Sequence, residues 1–322
     1  MKLASSVTAG ISDGFLSKLE DLATPTVLVP TISIAMTLIP TALILSNQQI
    51  QKSPWLARFL WVAAFLINVI TVSIPGRFDG SQVDSKNGKA TYPWETLFAP
   101  AGYAFAIWAV IYIGELLVTL HTAAFGNPVS PLRRAAPFFV AGNLFQSLWC
   151  GAFRPVLRNY LWLPSLLLAC AAFSMFNAHI ELTLAMREFG ESWTGQVIWP
   201  KLGLALLRFP IALHTGWLCA ATLLNVNGWA AVSHISTGRQ IALAFGSSYG
   251  AALLGAWLSY ASEDPFLALT VAWAMRALAV NHYDEKKQQR KTGKLVIAPE
   301  TTEALSVTQG ALAVFLCVAS IL

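Results

Sequence analysis

Long apolar stretches dominate this chain and set what it can fold into. There are nine, at about 26–46, 56–75, 99–124, 137–153, 160–184, 200–226, 240–260, 265–281 and 304–322. A helix needs about 20 mostly apolar residues to cross about 30 Å of hydrocarbon. In lipid, a helix also satisfies its own backbone hydrogen bonds. The expectation is an all-α polytopic membrane helix bundle with eight or nine transmembrane helices. Only 11% of the 322 residues are charged, and mean hydropathy is +0.58. A soluble domain carries about a quarter charged residues. Disorder, a secreted disulfide scaffold and most ordinary cytosolic enzymes are thereby excluded. The stretches at 137–153 and 265–281 are short and carry polar groups, and 304–322 is short enough to lie at the surface instead. The first stretch contains Pro30 and Pro40, which a membrane helix can tolerate as kinks.

Charge and cysteine placement fit a membrane chain. The net charge of +5 sits mostly in loops, so it speaks to orientation and anionic lipid rather than to nucleic acid. If the N-terminus shares a side with loops 76–98, 154–159, 227–239 and 282–303, that side collects 13 Lys and Arg against six on the other. With nine spans, the positive-inside bias puts this side, with the N-terminus and the basic segment KKQQRKTGK, on the cytosol-like face of the membrane. The first 25 residues mix Lys2 and Lys18 with Asp13, Glu20 and Asp21, which reads as neither a signal nor a transit peptide. Cys150, Cys170, Cys219 and Cys317 lie in apolar runs without CxxC spacing and read as small buried hydrophobes.

Polar groups inside apolar spans are costly and often functional. In the third span, Phe105, Trp108, Tyr112 and Glu115 share one helical stripe about 80° wide. This stripe is either one wall of a flat ligand pocket or aromatic packing with Glu115 near the interface. In the fourth span Asn143, Gln146 and Cys150 share a face with Trp149 beside it; Asn143 reads as interhelical glue, and the role of Gln146 stays open. In the sixth span His214, Trp217, Ala221 and Asn225 share a stripe. Arg208 points about 120° away from His214 and is expected to pair with Glu181, which has Asn177 at i−4, with Arg276 as the rival cation.

Other motifs are weak. The small-residue steps Gly246–Gly250 and Ala251–Gly255 let helices pack closely, and Val280-x-x-Tyr283-x-x-Lys286 matches a proposed sterol-contact pattern. No P-loop, GxGxxG, HExxH, GxSxG or CxxC occurs, and the loops are too short for a catalytic domain. No catalytic residue and no metal site is assigned.

The stretch Leu97-FAPAGYAFAIWAVIYIGELL resembles the signature F-x-PAG-[YFW]-x-F-x-IW-x-x-IY of the TspO/MBR family, the tryptophan-rich sensory and translocator proteins. The matching positions are Phe98, Pro100, Ala101, Gly102, Tyr103, Phe105, Ile107, Trp108, Ile111 and Tyr112. A second match, Arg208-FPIALHTGWLCAATLLN, supplies Pro210, Gly216, Trp217 and Asn225. The resemblance covers about 55–283, with two departures. Gln146 stands where the family often has the Asn of Asn-x-x-Trp before Trp149, and the family's five-helix core is extended here at both ends.

The resemblance implies a TspO-like core that binds tetrapyrroles such as protoporphyrin IX or haem, or sterols, in a cavity within the bundle, in a protein that is often a dimer. On that reading Pro100, Phe105, Trp108, Tyr112, Glu115, Asn143, Gln146, Trp149, His214, Trp217 and Asn225 are the ligand-binding set. The expected organisation is an N-terminal tail and extra helix over 1–54, the TspO-like bundle over 55–283, a basic linker over 284–303 and a C-terminal helix over 304–322. The partners expected are membrane lipid and a flat hydrophobic small molecule, for sensing or transport. Two alternatives stand beside this reading. One is a secondary transporter of a small metabolite, with helices broken at Pro100, Pro200 and Pro210; the other is a structural subunit of a membrane complex.

Overall fold

Eight of the nine apolar stretches fall among the described residues, and all eight are helical. The computed structural model describes residues 52–78, 96–124, 130–191, 198–233, 235–292 and 297–321, with a few positions between 31 and 50; the first expected span, 26–46, lies almost wholly outside them. Helix α1 is Pro54–Ser73, α2 Ile107–Ala124, α3 Ser130–Ala152 and α4 Trp162–Glu191. Then come α5 Ile198–Val232, α6 Thr237–Ser262, α7 Pro265–Thr292 and α8 Pro299–Ala319. Local chemistry sets several of the starts. The Ser53 hydroxyl accepts from Leu56 N–H at 3.4 Å, and proline opens α1 and α8, where no backbone donor is needed. No strand occurs among the described residues.

Six of the helical segments are long and apolar enough to cross a membrane: α1, α2 with the turn before it, α4, α5, α6 and α8. The segment at the C-terminus, whose place in or on the membrane the sequence leaves open, is among them. The exceptions, α3 and α7, are the two stretches expected to be short and polar. Both run longer than expected, α3 at its N-terminal end and α7 at its C-terminal end, where the sequence is too polar to read as a span, while polar side chains within the spans are buried. Asn143 and Gln146 in α3 and Thr270 and His282 in α7 are all buried.

The expected third span is not one helix. Gly102–Ala106 forms a 3-10 turn and α2 begins only at Ile107. This turn is seated on α7. Ala101 N–H donates to Ala277 O at 3.1 Å, Trp273 Nε1 to Ala104 O at 3.0 Å, Asn281 Nδ2 to Ala99 O at 3.0 Å and His282 Nε2 to Leu97 O at 2.9 Å. The Phe98–Gly102 phrase therefore works as an anchored lead-in to α2.

The helices pack in two groups. Contacts α1–α2, α2–α5, α5–α4, α4–α3 and α3–α1 close a five-helix ring, while α6, α7 and α8 contact one another as a triangle. Helix α5 also packs on α6 and α7, so it is the wall common to both groups. Two glycines permit this. A Cβ on Gly114 of α2 would lie 2.6 Å from Pro210 Cβ of α5, and one on Gly216 of α5 would lie 2.8 Å from Thr270 Cβ of α7. Gly255 similarly faces Val271 at 3.1 Å, whereas Gly246 and Gly250 meet nothing within 4 Å, so only the second small-residue step is used for packing within the chain.

These contacts set a comparison. Gly114→Ala drives a methyl into the rigid Pro210 ring and should cost about 1–3 kcal/mol, more than the roughly 1 kcal/mol that alanine gains over glycine in a helix. Gly250→Ala meets open space and should unfold at or above the wild-type temperature. Thermal unfolding of the detergent-solubilised variants tests the pair. A Gly114→Ala protein as stable as the wild type would mean that the α2–α5 crossing is looser than described.

Candidate functional site

The interior of the five-helix ring holds most of the expected site residues. The first feature built from them is a closed hydrogen-bond circuit. Asn68 Nδ2 of α1 donates to Gln146 Oε1 of α3 at 2.9 Å, Gln146 Nε2 donates to the Tyr112 hydroxyl of α2 at 3.2 Å, and that hydroxyl donates to Asn68 Oδ1 at 2.8 Å. Each side chain gives and takes one bond, so three helices are joined with no group of the circuit wasted. Asn68 Nδ2 also reaches Asn143 O at 3.1 Å. Asn68 is missing from the sequence-derived set, although a fully buried amide in an apolar span is a signal of the kind that singled out Asn143 and Gln146. Trp61 stacks on Phe139 at 3.8 Å and donates its Nε1 to Thr119 at 3.3 Å, filling the space between the same helices.

One turn further along α2 the character changes from amides to a buried acid and base. Glu115 Oε1 lies 2.6 Å from His214 Nδ1 of α5, and both side chains are fully buried. Helix geometry explains why Glu115 is interior rather than interfacial: it lies on the buried stripe Ile107, Ile111, Glu115 and Val118. Trp108 stacks on Tyr112 at 5.5 Å and stands edge-on to His214 at 5.5 Å and to Trp217 at 6.2 Å. Phe105 meets Trp217 edge-on at 5.6 Å. Trp149 donates to Asn225 Oδ1 at 3.4 Å, and Asn143 bonds its own helix at Phe139 O. Four buried atoms in this interior have no hydrogen-bond partner: Glu115 Oε2, His214 Nε2, Trp217 Nε1 and Asn143 Oδ1.

Beside this cluster lies a narrow apolar cleft, with about 10 Å³ of free volume, between α5 and α7. It is lined by Phe98, Pro100, Trp217, Ala220, Ala221, Leu224, Ala274 and Leu278. Of the expected ligand-binding set only Pro100 and Trp217 line it. The others are packed against one another inside the ring. Pocket walls of alanine and leucine give no periodic sequence signal distinct from helix packing, so the cleft was not legible from the sequence.

A second buried charged cluster lies at the α6–α7 turn, and it corrects the expected pairing of Arg208. Arg208 Nε meets Asp264 Oδ2 at 3.0 Å, and its remaining nitrogens donate to Thr183, Ser262 O and Glu263 O. His179 Nε2 meets the same Asp264 oxygen at 2.8 Å. Glu181 instead pairs with Arg134 at 2.7 Å, and Arg276 is exposed. Glu263 closes α6 in the left-handed region at φ 51°, which turns Asp264 inward. The four cysteines are free, but only Cys150 is buried; Cys170 and Cys219 are half-buried and Cys317 is exposed, against the expectation of four buried hydrophobes. The side chains of Tyr283 and Lys286 in the sterol-contact pattern lie outside the described residues.

An interior of amides, a buried acid–base pair and tryptophans, enclosed by helices apolar enough to span, defines a multi-pass integral membrane protein. Residues 54–322, well over half the chain, match the family model for TSPO-like protein, and the chain belongs to that family. The match includes α8. Comparisons with curated proteins and with solved structures found no significant match.

The α6–α7 cluster makes acid stability measurable. Burial works against the charge on Asp264, but the His179 hydrogen bond and charge, the Arg208 guanidinium and the Phe266 N–H outweigh it and hold the carboxyl below its usual range. Its folded value is depressed, so its stabilisation is complete above the ordinary aspartate value of about 3.9 and is lost as pH falls through the lower folded value. Removing one partner of a buried pair costs about 3–5 kcal/mol. Asp264→Ala should therefore unfold at lower temperature near neutral pH, and the gap to wild type should narrow on acidification below about pH 4. A gap that does not change with pH would show that the carboxylate charge contributes nothing.

Proposed function

We propose that this TSPO-like membrane protein binds a flat, largely apolar ligand with polar edges, of the tetrapyrrole class, at the α2–α5 face of the ring beside the α5–α7 cleft. The observation that carries the reading is the gathering of orphaned polar atoms there. A buried group without a partner costs about 1–3 kcal/mol, and native proteins keep few of them. Here Glu115 Oε2, His214 Nε2 and Trp217 Nε1 all stand unpartnered around Trp108. A ligand with acceptor and donor groups on an aromatic body satisfies all three and stacks on the indoles at the same time.

The cleft, with about 10 Å³ of free volume, is far smaller than the roughly 300–1,000 Å³ typical of sites for drug-sized ligands. Binding on this reading parts α5 from α7 or re-aims Trp217, the one aromatic of the cluster that also lines the cleft. The ring residues Tyr112, Gln146, Trp149 and Asn225 then act as the frame that holds α2 and α5 in register.

Titration of the purified protein in detergent with metal-free protoporphyrin IX tests this, following tryptophan quenching and Soret absorbance together. Saturable binding is expected, weakened in Trp217→Ala by about 1–3 kcal/mol, the worth of a buried aromatic. Non-saturable partitioning, equal in the two proteins, would overturn the reading.

A further inference from the structure

We infer that Arg276 pairs with a transmembrane helix of another protein, one that carries an Asp or Glu near the middle of its span. The inference is independent of the ligand reading and rests on where α7 places this arginine.

Three contacts fix its depth. A Cβ on Gly255 of α6 would lie 3.1 Å from Val271 Cβ of α7. Ser306 Oγ of α8 donates to Ala279 O of α7 at 2.9 Å, and Gln309 Nε2 of α8 donates to Ser248 Oγ of α6 at 3.1 Å. Helix α7 runs antiparallel to both neighbours. Counting along each helix from these contacts places Arg276 level with Gly250 and Gln309. Those residues stand at the middle of α6 and of α8, both long and apolar enough to span. About 15 Å of hydrocarbon, half the usual core, therefore separates the arginine from either headgroup layer. Arginines snorkel to the interface from near helix ends, not from the middle.

The side chain is exposed, and among the described residues it has no hydrogen-bond or ion-pair partner. It sits in a seam. Phe266, Leu269, Trp273, Arg276 and Val280 follow one another at alternating steps of three and four, and every other residue of α7 between Phe266 and Val280 is buried. This spacing is the one into which a second helix packs at a shallow crossing angle, and a polar residue within such a seam selects the partner. Trp273 is pinned by its bond to Ala104 O, and Tyr103 stands edge-on to it at 5.3 Å, so the seam is held in shape before a helix docks.

Charge and depth then define the partner. A cation in hydrocarbon calls for an acid at its own level. A phospholipid carries its charge at the headgroup, too far away. A second copy of this chain offers none either: among the described residues Glu115 is buried, Glu181 and Glu188 are engaged by Arg134, and the remaining acids lie in turns or in the outer turns of helices.

The test places the full chain in phosphatidylcholine vesicles with synthetic leucine-rich transmembrane helices that carry one central Glu or one central Gln, labelled for energy transfer. Wild type should bind the Glu helix saturably and about tenfold more tightly than the Gln helix, the worth of one interhelical polar link in lipid. Arg276→Leu should lose that preference, and Arg276→Glu should prefer a helix with a central Arg. Without any added helix, Arg276→Leu should unfold at or above the wild-type temperature, because the wild-type charge then has no partner. Equal binding of the Glu and Gln helices by wild type overturns the inference, as does a preference that survives in Arg276→Leu. A lower unfolding temperature of Arg276→Leu alone also overturns it, since the guanidinium would then be paired within this chain. In vesicles with added phosphatidylglycerol, retention of that lipid by wild type but not by Arg276→Leu, without a preference for the Glu helix, overturns it in favour of a lipid site.

Discussion

A polar group within the hydrocarbon has no water to turn to, and that constraint organises this molecule from the inside out. The circuit of Asn68, Gln146 and Tyr112 is its plainest consequence. Three side chains from three helices satisfy one another in sequence, and mutual polarisation strengthens such closed arrangements. Interhelical bonds of this kind in lipid average only about 0.6 kcal/mol, so the circuit matters less for total stability than for register. It fixes which turn of α1 faces which turn of α2 and α3, and the next polar pair, Glu115 and His214, inherits that alignment.

Helix α5 carries the other half of the design. It contacts α2 and α4 within the ring and α6 and α7 outside it. A helix touched on so many sides has little lipid-facing surface, and Arg208 through Leu218 are almost all buried. Close crossings at Gly114–Pro210 and Gly216–Thr270 leave little slack at this wall. The cleft occupies the place where small alanines on α5 and α7 leave a gap, next to Phe98 and Pro100 of the anchored lead-in.

The helices were legible in the sequence because a span needs a length of apolar chain that nothing else requires. Their boundaries were less so. The lengths of α3 and α7 are hidden by the polar, charged sequence of their outer turns, and the 3-10 turn before α2 is set by four bonds to a helix more than 160 residues away. The stripes on α2 and α5 were visible separately, since each repeats at helical spacing. That Glu115 on one meets His214 on the other depends on the ring order, which no local pattern encodes. Asp264 escaped notice because it sits in a two-residue turn between apolar helices, where an acid ordinarily signals only solvent. Asn68 and His179 are misses whose signal was present, an amide and an imidazole inside apolar spans.

The separation of Glu115 from His214 along the chain has a consequence for how the protein is made. They are 99 residues apart, and translation adds about 5–20 residues per second. The second helix therefore enters the bilayer some seconds, roughly 5–20, before the histidine that will meet its carboxyl group has been synthesised. During that interval the carboxyl group lacks the imidazole that meets it in the finished fold, and a polar group alone in hydrocarbon is costly. Biogenesis of this protein thus contains a waiting step, and the arrival of the fifth helix ends it.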